Sequence, residues 1–200
     1  AETLKEIISE VERLNAAILI GGDRPSAPGE FENYGIFINE NGKIGGEYLK
    51  QHPVPFGEYI PFRKYLDWIP PLSLVPRDMV RGTQQEVFST NKNDIKISTV
   101  ISFEGSFDRY IRNSVIQGAE VVVILTNQAS YGKSGMSDQF ILMSRANAIS
   151  NNRDIAHAAI TGKSSNTVTL YTRWGNYLNY LLILFGILSL FWPKNTLKKN

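Results

Sequence analysis

Residues 46–61 read G-E-Y-L-K-Q-H-P-V-P-F-G-E-Y-I-P, and the layout of this stretch decides how the rest of the chain is read. A strand pattern ends at a single lysine, Lys50. A proline-braced turn through Pro53 and Pro55 follows, and then a carboxylate, Glu58. Proline fixes its own φ and pushes the residue before it toward extended geometry, so this turn is rigid and non-helical. A rigid turn can hold a lysine and a carboxylate at a fixed separation. Taken alone, the pair also fits a surface turn with two solvated charges, and the surroundings have to decide.

Working outward, residues 34–39 and 44–49 alternate as strands around a turn at 40–43, which predicts a hairpin that aims Lys50. Residues 2–15 place Leu4, Ile7, Ile8, Val11 and Leu14 on one helical face. Residues 16–20 follow as a buried strand, which Gly21 and Gly22 are expected to end, leaving 23–29 as a loop. On the other side, residues 62–82 crowd Trp68, Ile69, Leu72, Leu74 and Val75 among Pro70, Pro71 and Pro76. Such a stretch fits a loop packed on the core or, being long and apolar, a functional lid or binding arm.

Residues 86–89 and 95–103 read as strands, and the second turns at Ser102-Phe103-Glu104-Gly105 into a helix over 107–117 closed by Gly118. A side chain on such a turn is presented at the sheet edge, with following N–H groups able to hold an oxyanion. Residues 121–125 form a buried strand ending at Thr126-Asn127. Residues 138–151 form a helix with Ile141, Leu142, Ala146 and Ile149 inward, and 155–160 and 167–170 are the last strands. Helices and strands alternate throughout, which predicts a layered α/β architecture.

Two motifs now combine. K-x-H-x-V-P-F-G-E-Y-x-P from Lys50 to Pro61, followed by V-I-S-F-E at 100–104, resembles the pattern of apolipoprotein N-acyltransferases, the membrane-bound branch of the nitrilase (carbon–nitrogen hydrolase) superfamily. Ser102 stands where that family has its cysteine. T-N-Q-A-S-Y-G-K at 126–133 is similar to the family's N-D-A-W-F-G loop, with Gln128 and Ser130 in place of the aspartate and tryptophan. The resemblance implies a nitrilase-like α-β-β-α sandwich over 1–172, incomplete at its N-terminus. One C-terminal transmembrane helix over 173–193 and a cytoplasmic basic tail over 194–200 are implied to follow. Independently, the apolar run 177–192 would span about 24 Å as a helix. Lys194, Lys198 and Lys199 follow it, which places the C-terminus inside and the globular part outside a bacterial cell membrane. A buried core helix is the alternative reading of that run.

The resemblance also implies a chemistry. Ser102 occupies the nucleophile position, Lys50 holds the oxyanion, and Glu58 and Glu104 position the lysine and the reacting groups. Trp68 and Leu72 of the arm, with Asn127 and Tyr131 of the 126–133 loop, are the implied substrate-binding residues. The reaction implied moves an acyl chain from a phospholipid, through an acyl-enzyme, to the α-amino group of a lipoprotein's diacylglyceryl-cysteine, with no cofactor and no metal. Two departures predict that this chain does not turn over as it stands. A serine hydroxyl ionises far less readily than a thiol. The family's general-base glutamate would also lie upstream of Ala1, and Glu2, at a helix start, does not match it. The alternatives are a soluble amidase of the same superfamily and a catalytically silent, membrane-tethered binding protein.

Totals bound these readings. Two hundred residues with 42% hydrophobic content suffice for one domain with a sizeable core, and the start at Ala1 reads as that of a fragment. A net charge of +2 without a basic, aromatic-interleaved cluster gives nucleic-acid binding no support. The absence of cysteine excludes disulfides, thiolate metal sites and a cysteine nucleophile within these residues. His52 and His157, far apart in the chain, read as hydrogen-bonded structural residues.

Overall fold

Short β-rich runs set between turn residues assemble into two sheets, and the helices between them make the crossovers. The computed structural model describes residues 2–131 and 134–160. Helix α1 (Glu2–Leu14) leads into β1 (Ile18–Pro25), β2 (Glu30–Ile38) and β3 (Ile44–Leu49). After α2 (Arg63–Leu66) come β4 (Asp78–Met79), β5 (Val87–Ser89) and β6 (Lys96–Ile101). The described part continues with α3 (Asp108–Ile116), β7 (Val121–Asn127), α4 (Met136–Asn151) and β8 (Asp154–Ile160).

The first sheet is an antiparallel β1-β2-β3 meander, with β4 pairing in parallel with the first residues of β2. The second has the order β5-β6-β7-β8, in which β6, β7 and β8 are parallel. Parallel neighbours cannot be joined by a tight turn, and α3 and α4 supply the crossovers. The sheets face each other through Leu19, Phe37 and Tyr48 on one side and Phe88, Ile97 and Ile101 on the other. Phe37 and Phe88 stack with ring centroids 5.2 Å apart. A second apolar cluster, with Val100, Val122 and Ile124 against Tyr110 and Ile111, seats α3 on the far face of the second sheet. The nitrilase-like α/β fold expected from the sequence is therefore present.

Four sequence expectations need correction. β1 does not stop at Gly21-Gly22 but runs on to Pro25, paired with β2 over its whole length. Glycine weakens a strand yet is admitted where another chain segment comes close, and a Cβ on Gly22 would stand 3.0 Å from the Tyr34 hydroxyl oxygen. The strand expected to reach Phe103 ends at Ile101, and residues 102–106 form a 3-10 turn. The arm carries more structure than a loop: α2, a 3-10 turn at Pro70–Leu74, and β4. Helix α4 buries Phe140, Ser144 and Asn147, while Ile141, Leu142, Ala146 and Ile149 are exposed. Polar anchoring chose that face, because Asn147 Nδ2 donates to the Gly105 carbonyl at 2.9 Å and Ser144 Oγ lies 2.8 Å from His157 Nδ1.

Among the described residues no helix is long and apolar enough to cross a membrane. The expected strand at 167–170, the apolar run 177–192, the boundary at 172/173 and the basic tail all lie outside the described residues.

Arg63 at the start of α2 and Asp78 in β4 fasten the arm. The guanidinium donates to the carboxylate from Nε at 2.8 Å and Nη2 at 2.6 Å, and Ile60 N–H adds a third bond at 2.9 Å. Arg63 therefore holds the Asp78 carboxyl below its ordinary value of 3.8. A lowered carboxyl pKa means that the stabilisation is present above the unfolded value and is lost as pH falls toward the folded one. Asp78→Asn should lower global stability by no more than about 1 kcal/mol, since the pair is partly exposed. It should accelerate tryptic cleavage at Arg63, Lys64 and Arg77, as should acidification of the unsubstituted protein below the carboxylate range, read with an acid-active protease. Unchanged cleavage in both tests would show that the ion pair does not hold the arm.

Candidate active site

Lys50 is set where β3 ends, and its backbone is pinned from two sides. Its N–H donates to the Asn33 carbonyl at 2.9 Å, and its own carbonyl accepts from Gly82 N–H at 2.8 Å. That close approach requires glycine, since a Cβ at residue 82 would stand 2.1 Å from the Leu49 carbonyl oxygen. Period-two alternation puts the Lys50 side chain on the same face as Tyr48, toward the second sheet, and both are 0% exposed. A buried ammonium needs a partner. Lys50 Nζ donates to Glu58 Oε1 at 2.5 Å, and Glu58 Oε2 accepts from Val54 N–H at 2.8 Å, which closes the proline-braced turn on itself.

Glu104 is also fully buried, and it accepts four hydrogen bonds. Oε2 takes the Tyr48 hydroxyl and Ile101 N–H, both at 2.8 Å; Oε1 takes Gln51 N–H at 2.6 Å and His52 N–H at 2.8 Å. One carboxylate thus ties the loop after Lys50 to the turn that carries Ser102. Burial pushes its pKa up, while the backbone donors and Tyr48 pull it down.

Ser102 opens that turn with φ at +54°, a left-handed conformation for a residue with a Cβ. Such a position costs on the order of 1–3 kcal/mol and recurs at functional sites. Gly105 lets the turn lie against β7, where a Cβ would meet Ile124 at 2.8 Å.

Between the two sheets lies a cleft of about 600 Å³ whose lining includes Asp23, Asn33, Glu58, Ser102, Thr126 and Asn127. Glu58 lines the cleft, and Lys50 is its fully buried partner. Asn127 lines the cleft while its Oδ1 accepts Ala129 N–H at 3.0 Å. Tyr131 stacks on Phe140 at 5.7 Å; burial, with the Glu58 charge nearby, raises its pKa. Trp68 and Leu72 are not part of this lining. Trp68 is exposed on the arm, with its indole N–H on the Tyr65 carbonyl. The arm nevertheless reaches the site through its backbone, because Met79 N–H donates to the Glu58 carbonyl at 2.8 Å.

Both histidines are engaged. Arg109 Nη2 lies 3.1 Å from His52 Nδ1. A guanidinium can only donate, so this nitrogen accepts and the ring proton sits on Nε2. Burial, then the Arg109 charge, lowers the His52 pKa. His157 bridges Gln128 and Ser144. Among the described residues, no group of three or more His, Cys, Asp or Glu side chains is placed to hold a metal ion.

Sequence reading missed Tyr48, whose place two residues before Lys50 would have revealed it. It also misses Asp23, which lies past the expected end of β1, and Asn33, which lies before the expected start of β2 at residue 34 although the strand begins at Glu30.

The carbon–nitrogen hydrolase family pattern matches residues 1–176. The chain belongs to the carbon–nitrogen hydrolase family. This carbon–nitrogen hydrolase is similar to the apolipoprotein N-acyltransferase of Geobacter metallireducens, 31% identical over 76% of the chain and 29% of that protein. It is also similar to that of Haemophilus ducreyi, 34% identical over 58% of the chain and 23% of that protein. The Rickettsia typhi protein is 27% identical over 92% of the chain and 43% of its own length. The chain thus spans less than half the length of these relatives. Among solved structures, the NitN amidase from Nesterenkonia sp. AN1 aligns with 78% of the chain and 52% of its own, at a TM-score of 0.56 and 19% identity. The same amidase with acrylamide added at its active-site cysteine aligns at a TM-score of 0.57, 19% identity, over 79% of the chain and 54% of its own. These two establish likeness of fold.

Glu104→Gln keeps the shape of the clamp but turns an amide N–H₂ toward groups that are themselves donors. Leaving buried donors unpaired costs about 1–3 kcal/mol each, so urea unfolding should show a loss of about 2–4 kcal/mol. A loss below about 1 kcal/mol would mean that the carboxylate does not organise the site.

Proposed function

We propose that this carbon–nitrogen hydrolase is the cleft-bearing part of a lipoprotein N-acyltransferase. The observation that carries the reading is the convergence of the Ser102 turn and the Lys50–Glu58 pair on one cleft, in a chain whose curated relatives are apolipoprotein N-acyltransferases. Residue 102, giving its proton to the general base, attacks the ester carbonyl of a phospholipid acyl chain; the acyl C–O bond to glycerol breaks, the lysophospholipid leaves with its hydroxyl reprotonated by that base, and residue 102 is left acylated. Lys50 has donors left beyond the one given to Glu58, and it stabilises the oxyanion as that charge develops. Glu58 positions Lys50, and Glu104 holds the nucleophile turn against the lysine loop. The acyl group then passes to the α-amino group of a diacylglyceryl-cysteine, Asn127 and Tyr131 contributing to the substrate side of the cleft.

The arm supports a lipid substrate. Phe62, Tyr65, Trp68 and Leu74 are 79%, 70%, 78% and 84% exposed, an apolar surface suited to acyl chains at a bacterial membrane. Trp68 and Leu72 belong to this entry surface and not to the reacting centre. The globular domain is proposed to stand on the extracytoplasmic face, with the C-terminus cytoplasmic.

Serine at 102 is proposed to leave the site slow or silent, because a carboxylate base that suits a thiol activates a hydroxyl poorly. The general base is proposed to come from sequence upstream of Ala1. The test uses the product of the whole gene carrying Ser102→Cys, incubated with phosphatidylethanolamine. Mass spectrometry should find an acyl adduct on residue 102, absent with serine there. Adding Lys50→Ala should slow its formation by about 10²–10³-fold, the worth of an oxyanion donor. No adduct on the cysteine form overturns the reading; hydrolysis of butyramide without acyl transfer would put an amidase in its place.

A further inference from the structure

We propose that Asp23 recognises the acceptor of the acyl group, binding the ammonium form of its amine at the mouth of the cleft; this rests on the acyltransferase reading. Register places the residue. Asp23 pairs with Asn33 across β1 and β2, and the pairing of Tyr34 with Leu49 sets Asn33 opposite Lys50. Residues directly opposite share a face of the sheet, so Asp23, Asn33 and Lys50 form a row across three strands. That face looks toward the second sheet: Leu19 packs in the inter-sheet cluster, and Cβ atoms on Gly21 and Gly35 would meet Leu125 at 3.5 and 3.3 Å. Asp23 is the next position on the same face after Gly21, at the open end.

Asp23, Glu58 and Ser102 line one cavity. The Glu58 carboxylate is committed to Lys50 and to Val54 N–H. The ion pairs among the described residues leave Asp23 without a cationic partner. The uncommitted charge of the cleft is thus a carboxylate beside the residue that would carry the acyl group. Asp23 is exposed at the strand end, and partial desolvation there, then the Glu58 charge, raises its pKa against weaker opposing effects of Lys50 and Arg77. A cation at this spot relieves both causes.

A single carboxylate among neutral amides suits a primary ammonium better than a calcium or magnesium ion, which takes six or more oxygen ligands or keeps a near-ideal octahedron.

The test is calorimetric binding of an S-hexadecyl-cysteinyl tetrapeptide to the 200-residue chain, with its amino terminus either free or acetylated. The free-amine peptide should bind about tenfold tighter or more, the worth of one charged hydrogen bond. Asp23→Asn, which keeps the side chain's shape, should weaken only the free-amine peptide and abolish the preference, and Asp23→Glu should restore part of it. A preference that survives in Asp23→Asn, or no preference in the unsubstituted chain, overturns the assignment. The phospholipid adduct on Ser102→Cys needs no amine, so the two readings fail separately. An adduct without amine preference removes only the role of Asp23. A preference lost in Asp23→Asn, with no adduct, keeps the ammonium site and removes the acyltransferase.

Discussion

A lysine with none of its surface exposed governs the arrangement around it. An unpaired ammonium inside a protein costs several kcal/mol, so the surrounding chain must supply a counter-charge to Lys50 at short range. Glu58 does so from eight residues away, on a turn that Pro53 and Pro55 stiffen and that Glu58 itself closes through Val54 N–H. The hairpin β2-β3 fixes where the lysine emerges, and Gly82 locks the strand end because its neighbour's carbonyl leaves no room for a side chain. Each of these is a local demand of one buried charge.

Glu104 extends the demand across the molecule. Its four hydrogen bonds gather Tyr48 from the first sheet, the backbone after Lys50 and the end of β6 into one network. The low dielectric that raises the cost of burying this carboxylate also strengthens every bond made to it, so the network is stable only when all members are present. Helix α4 joins from the far side through Asn147 and the Gly105 carbonyl. The cleft is thereby bounded by segments that are distant in sequence yet held by a few directional contacts.

Much of this was legible from local pattern. The hairpin, the lysine at its end, the proline turn and the strand-to-turn switch at Ser102 all follow from residue types that restrict φ or alternate with period two. What escaped needed long-range information. Gly21 and Gly22 look like a strand end, and only the Tyr34 ring lying against Gly22 shows why glycine is kept within β1; a strand that ends there leaves Asp23 out of view. In α4 the most apolar stripe was expected inward, whereas the buried face is set by Asn147 and Ser144 bonding to partners 42 and 13 residues away. Helical periodicity alone cannot rank two stripes when the polar one has such partners.

The departure at residue 102 fits this division of labour. The turn that presents it is held by Ile101 N–H on Glu104, by Gly105 against Ile124 and by Asn147 on the Gly105 carbonyl. None of these contacts uses the side chain of residue 102, whose φ stands at +54°. Changing that side chain therefore alters the chemistry offered to the cleft without releasing the scaffold, whereas Lys50, Glu58 and Glu104 are bound into the packing itself. The same separation explains how the nitrilase-like fold and the cleft stand whatever side chain residue 102 carries.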